Sequence, residues 1–357
     1  MKICFVLPKV SYHEISGGYK MVYYYANNFA KKNYRVCILY LNNEVYSNRH
    51  APKFIKKIMA NHYSKISPSW IKLDDKIELI SGLERDYKNK ILDVDVAIAT
   101  AFTTFFPTLE LFGNKKICYF IQDFETWGGV TESEVIESYK KCTTNIVVSK
   151  WLKEKVDKYT NTKSILIPNP IDSEIYHEYK NNKRIEHSIG LLYHTGEYKG
   201  LKYSINAIFK LKEQYDDLQV FMFGVFEQPK GLPEWIHYTQ RASEKETVNI
   251  YNKVKVFLCA SIDEGFGLTG LEAMVCGAAL VSTNYPGVME YAVDQYNALL
   301  SPVRDVDSLV NNVSLLFNNA KMWEKLSNNG KKTINQFSVE MAYDKFESTL
   351  LRLYNER

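Results

Sequence analysis

No apolar run in this sequence approaches the roughly 20 residues that a membrane-spanning helix needs, so no transmembrane segment is expected. The first residues, "MKICFVLPKV", hold only a short apolar run before Pro8, too short for a signal-peptide core. The six cysteines are scattered and form no CxxC pair, and they read as reduced core residues of a cytosolic protein. No histidine–cysteine cluster has metal-ligand spacing, and no metal is assigned. No G-x-G-x-x-G follows the first strand-like run, where "ISGGYK" has adjacent glycines instead, which argues against a dinucleotide oxidoreductase. Low-complexity tracts and short repeats are absent too.

What is present is apolar and patterned. The chain has 357 residues, 46% of them hydrophobic, enough for two cores of about 150–200 residues each. Thirteen β-rich runs alternate with helical stretches. "KICFVLP", "RVCILYL", "KIELISGL", "DVAIATA", "KICYFIQ", "TNIVVS" and "SILIP" lie in the first half. "SIGLLYH", "LQVFMFG", "WIHYTQ", "VFLCAS", "AALVSTN" and "NALLSPV" lie in the second. Near-continuous apolar runs between helical segments indicate parallel sheets covered on both faces. Each half therefore reads as a doubly wound α/β domain. The prolines and polar stretch of "IPNPIDSEIYHEYKNNKRIEH" mark the break, giving domains at 1–170 and 171–337.

Charge is uneven. The formal net charge is +4, but residues 1–170 hold 25 Lys+Arg against 17 Asp+Glu, and residues 171–357 hold 20 against 24. The basic first half is suited to an anionic surface. One segment there breaks the strand–helix rhythm. "APKFIKKIMANHYSKISPSW" places Phe54, Ile55, Ile58, Met59 and Tyr63 on one helical face, with Lys53, Lys56, Lys57 and Lys65 around it. This is the pattern of a short helix lying on an anionic membrane. The tripeptide "DVD" occurs at Asp93–Asp95 and Asp305–Asp307, before a strand and at a helix start, and reads as punctuation.

The chemistry concentrates in "DEGFGLTGLEAMVCGAALVSTNYPGVMEY", residues 263–291. A buried strand, "VKVFLCAS", runs into a glycine-bearing loop, and a helical pattern resumes at about Thr269. The free N–H groups and positive dipole end of such a helix suit phosphate. Glu264 precedes the loop and Glu272 follows it, about a turn into the helix. A carboxylate accepts two hydrogen bonds and so suits vicinal hydroxyls of a sugar or ribose. Two such groups flanking a phosphate cradle match a nucleotide sugar.

The spacing from Glu264 to Glu272, with "AMVCGAALVST" and "GVMEY", resembles the E-x7-E region of family 4 (group 1) retaining glycosyltransferases. "SGGYKMVYYYANNFAKKNYRV", "IVVSKWLKEKV", "IPNPID" and "LLYHTGEYKGLKYSINAI" are similar to four further segments of that family. The resemblance implies the GT-B fold: two Rossmann-like domains facing across a cleft, with a C-terminal helix, residues 338–357, packing back on the first. It also implies sugar transfer from a nucleotide diphosphate donor to a hydroxyl acceptor, with retention and without a metal. Lys199 would meet the diphosphate, Glu264 the transferred sugar and Glu272 the ribose. Backbone N–H groups of the loop Gly265, Phe266, Gly267, Leu268 and Thr269 would bind the donor, with Gly17 and Gly18 approaching its phosphates from the first domain.

Three positions depart from the family pattern. His194 stands where an arginine is usual, so the phosphates would rely more on Lys199 and the helix. Gln122 and Asp123 stand on the acceptor or sugar side, where a histidine is frequent. Thr269 replaces a frequent proline and adds an N–H and a hydroxyl. The resemblance is to bacterial enzymes of capsule or O-antigen type. It implies a cytoplasmic protein, peripheral on the membrane's inner face, that takes a UDP-sugar and a glycan or lipid-linked acceptor; nucleic acid is not an expected partner. A nucleotide-sugar-binding subunit without turnover, or a GT-B-like epimerase or phosphorylase, is the alternative.

Overall fold

A computed structural model of the chain describes residues 1–13, 15–41, 52–63, 66–81, 88–113, 116–126 and 129–356. The chain divides into two compact units, Met1–Pro168 with Glu340–Arg357, and Asn169–Val339.

The first unit opens with β1 (Lys2–Leu7), α1 (Gly17–Lys31) and β2 (Arg35–Tyr40). It continues through α2 (Lys53–Tyr63), β3 (Glu78–Ser81), β4 (Val96–Ala99), α3 (Phe102–Phe112) and β5 (Ile117–Ile121). Then follow α4 (Glu132–Lys141), β6 (Asn145–Val147), α5 (Lys150–Asp157) and β7 (Ile165–Leu166). The sheet order is β3-β2-β1-β4-β5-β6-β7, all pairs parallel. Cys4 sits opposite Cys37 on one side and Ala97 on the other. Strands β1, β4 and β5 are buried at every residue, as helices on both faces require.

The second unit holds β8 (Ser188–Leu192), α6 (Leu201–Lys212), β9 (Gln219–Gly224), β10 (Ile236–Gln240) and α7 (Glu244–Lys253). It continues with β11 (Val256–Cys259), α8 (Leu268–Val275), β12 (Ala279–Thr283), β13 (Ala298–Ser301), α9 (Val306–Asn318) and α10 (Ala320–Lys332). Its parallel order is β10-β9-β8-β11-β12-β13. The core is built on Ile189, Leu191, Val220, Met222, Leu258 and Val281, all at most 1% exposed. In each sheet the winding reverses beside the first strand, between β1 and β4 and between β8 and β11. The carboxyl ends of those strands are where doubly wound sheets hold ligands.

The last helix, α11 (Val339–Asn355), belongs to the first unit through nearly all its length. Its Phe346 ring lies 4.4 Å from that of Tyr25 and 5.4 Å from that of Phe120. Burying such a ring contributes about 1.5–3 kcal/mol. Lys32 adds an ion pair to Glu347 at 3.2 Å.

Each of the thirteen apolar runs contains a strand. All six cysteines are buried thiols. The two "DVD" tripeptides serve the scaffold. Asp93 holds Lys2 and Arg35, each at 2.7 Å, and Asp95 accepts the Lys2 N–H at 2.9 Å. Asp305 caps α9 through the Ser308 N–H at 3.0 Å, and Asp307 pairs with Lys210 at 2.6 Å.

On helix α2 three apolar side chains stand in solvent: Phe54 is 65% exposed, Ile58 64% and Ile55 38%. Met59 and Lys56 are half-buried. The side chains of Lys53, Lys57 and Tyr63, and the whole of Lys65, lie outside the described residues. Among the described residues no helix is long and apolar enough to cross a membrane.

Candidate functional site

In the second unit, β11 delivers the chain to the carboxyl edge of its sheet. The loop from Ile262 to Gly267 then turns into α8, which starts at Leu268, one residue before the periodicity predicts it. Gly267 makes the turn with a left-handed φ of +87°, which L-residues with a side chain disfavour. A Cβ there would fall 2.0 Å from the Tyr285 hydroxyl. No side chain caps α8 at Gly267, and its first turn holds no acidic residue. Its leading N–H groups and dipole thus present an anion-binding end. Leu268 and Thr269 are half-buried there, whereas Gly265, Phe266 and Gly267 are buried. The Phe266 ring packs on Tyr291 and Phe337, leaving only its backbone for a ligand.

Two tyrosines brace this loop from below. Tyr291 donates its hydroxyl to the Gly267 carbonyl at 2.6 Å and lies 3.4 Å from the Tyr285 hydroxyl. Gly287 packs against the loop backbone so closely that a Cβ would lie 2.4 Å from the Glu264 carbonyl oxygen.

The turn after β8 meets the same edge. Gly196 to Gly200 form a tight turn, and Gly200, at φ +61°, lies where a Cβ would overlap the Ala260 carbonyl. The Ile262 N–H donates to the Tyr198 carbonyl at 2.7 Å, locking turn and loop together. This juxtaposition brings Lys199 Nζ to 2.6 Å from Glu264 Oε2. Both side chains are largely buried, 18% and 9% exposed. Ser261 donates to the second carboxylate oxygen of Glu264 at 2.5 Å. Burial works to lower the Lys199 pKa, but the charge and hydrogen bond of Glu264 outweigh it and hold the ammonium above the usual lysine range.

His194 stands beside this pair. Its Nδ1 accepts the Gly196 N–H at 3.0 Å, so the neutral ring carries its proton on Nε2. Burial, followed by the nearby Lys199 charge, pushes its pKa below the ordinary value, with Glu264 opposing. Glu272, 4% exposed on α8, accepts the Tyr251 hydroxyl at 2.9 Å. Lys199, Glu264, His194 and the loop meet at this one edge, and Glu272 lies a turn further into α8, bound to Tyr251.

The remaining expected residues lie in the first unit, at the carboxyl edge of its own sheet. Gly17 opens α1 behind the cap Ser16, whose hydroxyl accepts the Tyr19 N–H at 3.4 Å. Gln122, after β5, donates to the Gly18 carbonyl at 3.2 Å, and a Cβ on Gly18 would stand 3.3 Å from the same amide nitrogen. Asp123 accepts the Phe124 N–H at 2.8 Å.

Sequence reasoning missed four participants. Ser261 and Tyr251 buttress the two glutamates, Tyr291 holds the loop, and Glu125 accepts the Phe102 N–H at 2.8 Å. None of the four had a signal in the sequence: Tyr251, Tyr291 and Glu125 act through hydrogen bonds to segments distant in the chain, and Ser261 through one to Glu264 three residues on, outside any helix or strand. Among the described residues no group of three or more His, Cys, Asp or Glu is arranged to hold a metal ion.

Two doubly wound parallel-sheet units with this site define a GT-B fold, and comparisons with known proteins agree. Anabaena HepE, solved in complex with UDP-glucose, superposes with a TM-score of 0.75 over 99% of this chain and 100% of its own, at 14% identity. Residues 172–333 match the family model "Glycosyl transferases group 1". An uncharacterized glycosyltransferase of Methanocaldococcus jannaschii is 27% identical over 234 residues, 61% of this chain and 62% of its own. The capsular polysaccharide biosynthesis glycosyltransferase CapM of Staphylococcus aureus is 22% identical over 184 residues, 49% of this chain and 48% of its own. The matches thus span about half to three-fifths of these relatives' length.

Proposed function

We propose that this protein transfers a sugar from a nucleotide diphosphate donor to a hydroxyl acceptor. The observation that carries the reading is the buried Lys199–Glu264 pair beside the start of α8, whose dipole no side chain caps. The anomeric C–O bond breaks and its electron pair stays on the diphosphate. The acceptor oxygen attacks the same face of the sugar, and its proton passes to the departing phosphate oxygen, giving retention. Lys199 and the N–H groups of Gly267 to Thr269 stabilise the charge that develops on the phosphate. His194 adds a neutral N–H. Glu264, fixed by Ser261, takes hydroxyls of the sugar, and Glu272, fixed by Tyr251, those of the ribose.

A UDP-sugar is the favoured donor, in line with the ligand of HepE. A growing surface glycan, on a lipid or free, is the favoured acceptor, in line with the role of CapM. No metal is required, because lysine and dipole take its place. The protein works in the cytoplasm, peripherally on the membrane's inner face. The exposed Phe54, Ile55 and Ile58 on a lysine-rich helix support that placement: basic side chains meet anionic headgroups and the apolar face enters them.

The test is a panel of nucleotide sugars, read by thermal shift and by release of nucleoside diphosphate with and without EDTA. We expect one donor to raise the melting temperature and be consumed in both conditions. Binding without release under any acceptor would favour the non-catalytic subunit. Loss on chelation with rescue by Mn²⁺ would reverse the metal assignment. No shift with any nucleotide sugar would overturn the reading.

A further inference from the structure

The loop after β5 is tied down at both ends. Gln122 donates to the Gly18 carbonyl in the first turn of α1 at 3.2 Å. Three residues on, Glu125 accepts the N–H of Phe102, the first residue of α3, at 2.8 Å. Helix α3 has alanine at its N-cap, with no side-chain oxygen to offer its first N–H groups. Glu125 supplies that cap from 23 residues away. Helices α1 and α3 follow β1 and β4, the two strands flanking the reversal of the sheet. The segment Gln122–Glu125 therefore bridges the helix starts at the position where a doubly wound sheet takes a ligand. Asp123 sits mid-bridge, turned by its bond to the Phe124 N–H.

We propose that Glu125 is a positioning residue for the acceptor: its carboxylate pins the bridge to α3, so that Gln122 and Asp123 present a fixed polar edge to acceptor hydroxyls. This rests on the glycosyltransferase reading and deepens it. The surroundings make the tie responsive to protons. Burial raises the Glu125 pKa to about 7, against the pull of the Phe102 N–H and helped by repulsion from Asp123. The phenols of Tyr119 and Tyr139 face it from β5 and α4, neutral at these pH values. Lys155 of α5 covers the Phe124 ring 4.2 Å away. A carboxylate grips an N–H more strongly than a carboxylic acid does. The bridge is thus firm above neutrality and loosens below it.

The experiment compares wild type with Glu125→Gln, which keeps an oxygen for the Phe102 N–H but cannot ionise. With a donor and acceptor found in the panel above, the wild-type acceptor KM should rise several-fold as pH falls through about 7 and level off below it, because the protonated carboxyl keeps a weaker bond to the Phe102 N–H. The donor KM should not move, and the variant's acceptor KM should stay flat. A second readout needs no acceptor. The folded state holds the Glu125 proton up to a higher pH than the unfolded chain does, so wild-type stability falls as pH rises from the ordinary glutamate range to about 7. The melting temperature of Glu125→Gln relative to wild type should therefore be higher at pH 8 than at pH 5. A variant that keeps the wild-type acid limb, or an acid limb shared by donor and acceptor KM, overturns the role of Glu125 while donor turnover continues. A wild type that consumes no nucleotide sugar fails earlier, at the glycosyltransferase reading, and the melting comparison still reports on the carboxyl.

Discussion

Lys199 and Glu264 are 65 residues apart in sequence and 2.6 Å apart in space. Each neutralises the other in a largely buried place, so neither can be removed quietly. Lys199→Ala should fold yet lose turnover by about 10–100-fold, the equivalent of the roughly 1.5–3 kcal/mol that a charged hydrogen bond contributes. Nucleoside diphosphate release measures it. Wild-type turnover in this variant would remove Lys199 from the site.

Tyr251 meets the proposed donor site through its hydroxyl, which donates to Glu272. Tyr251→Phe should raise the donor KM about fivefold, for the loss of roughly 1 kcal/mol of orientation, and leave kcat unchanged. In a Glu272→Ala background the same change should add nothing, because the two act as one unit. Additive effects in that double-mutant cycle would mean that Tyr251 acts elsewhere.

His194 has its folded pKa depressed, so its neutral form contributes stability that is present above the unfolded value. That stability is lost as pH falls through about 6.5 toward the lower folded pKa. His194→Gln should shrink the drop in melting temperature between pH 7.5 and pH 5. An unchanged drop would show that the ring is not held neutral by its surroundings.

Helix α2 should bring the protein to anionic vesicles at low salt and release it at high salt, as screening predicts. Phe54→Ser with Ile58→Ser should weaken co-sedimentation, and Lys53, Lys56 and Lys57→Glu should abolish it. Equal partitioning of wild type and both variants would end the membrane role of this helix, and donor turnover would be untouched.

The strands were legible in the sequence for a physical reason. Parallel strands covered on both faces must be apolar at nearly every residue, so "KICFVL" and "VFLC" announce themselves without alignment or context. Gly267 in the loop was legible because a backbone that turns with positive φ and packs against other chain needs glycine. What surrounds that loop was not. Nothing in the spacing of Tyr251, Ser261 or Tyr291 marks them as supports for Glu272, Glu264 and Gly267, because hydrogen bonds between distant segments leave no period in a sequence. The α2 pattern told that an apolar face exists but not whether anything covers it; packing left Phe54 and Ile58 in solvent. Glu125 reads as one more loop carboxylate, and only the adjacency of β4 and β5 sets it on the first N–H of α3, partly out of water. Composition and period determine which segments are strands and helices. The pairing of side chains, and with it the charge state of Lys199, His194 and Glu125, is decided by which elements the sheets place side by side.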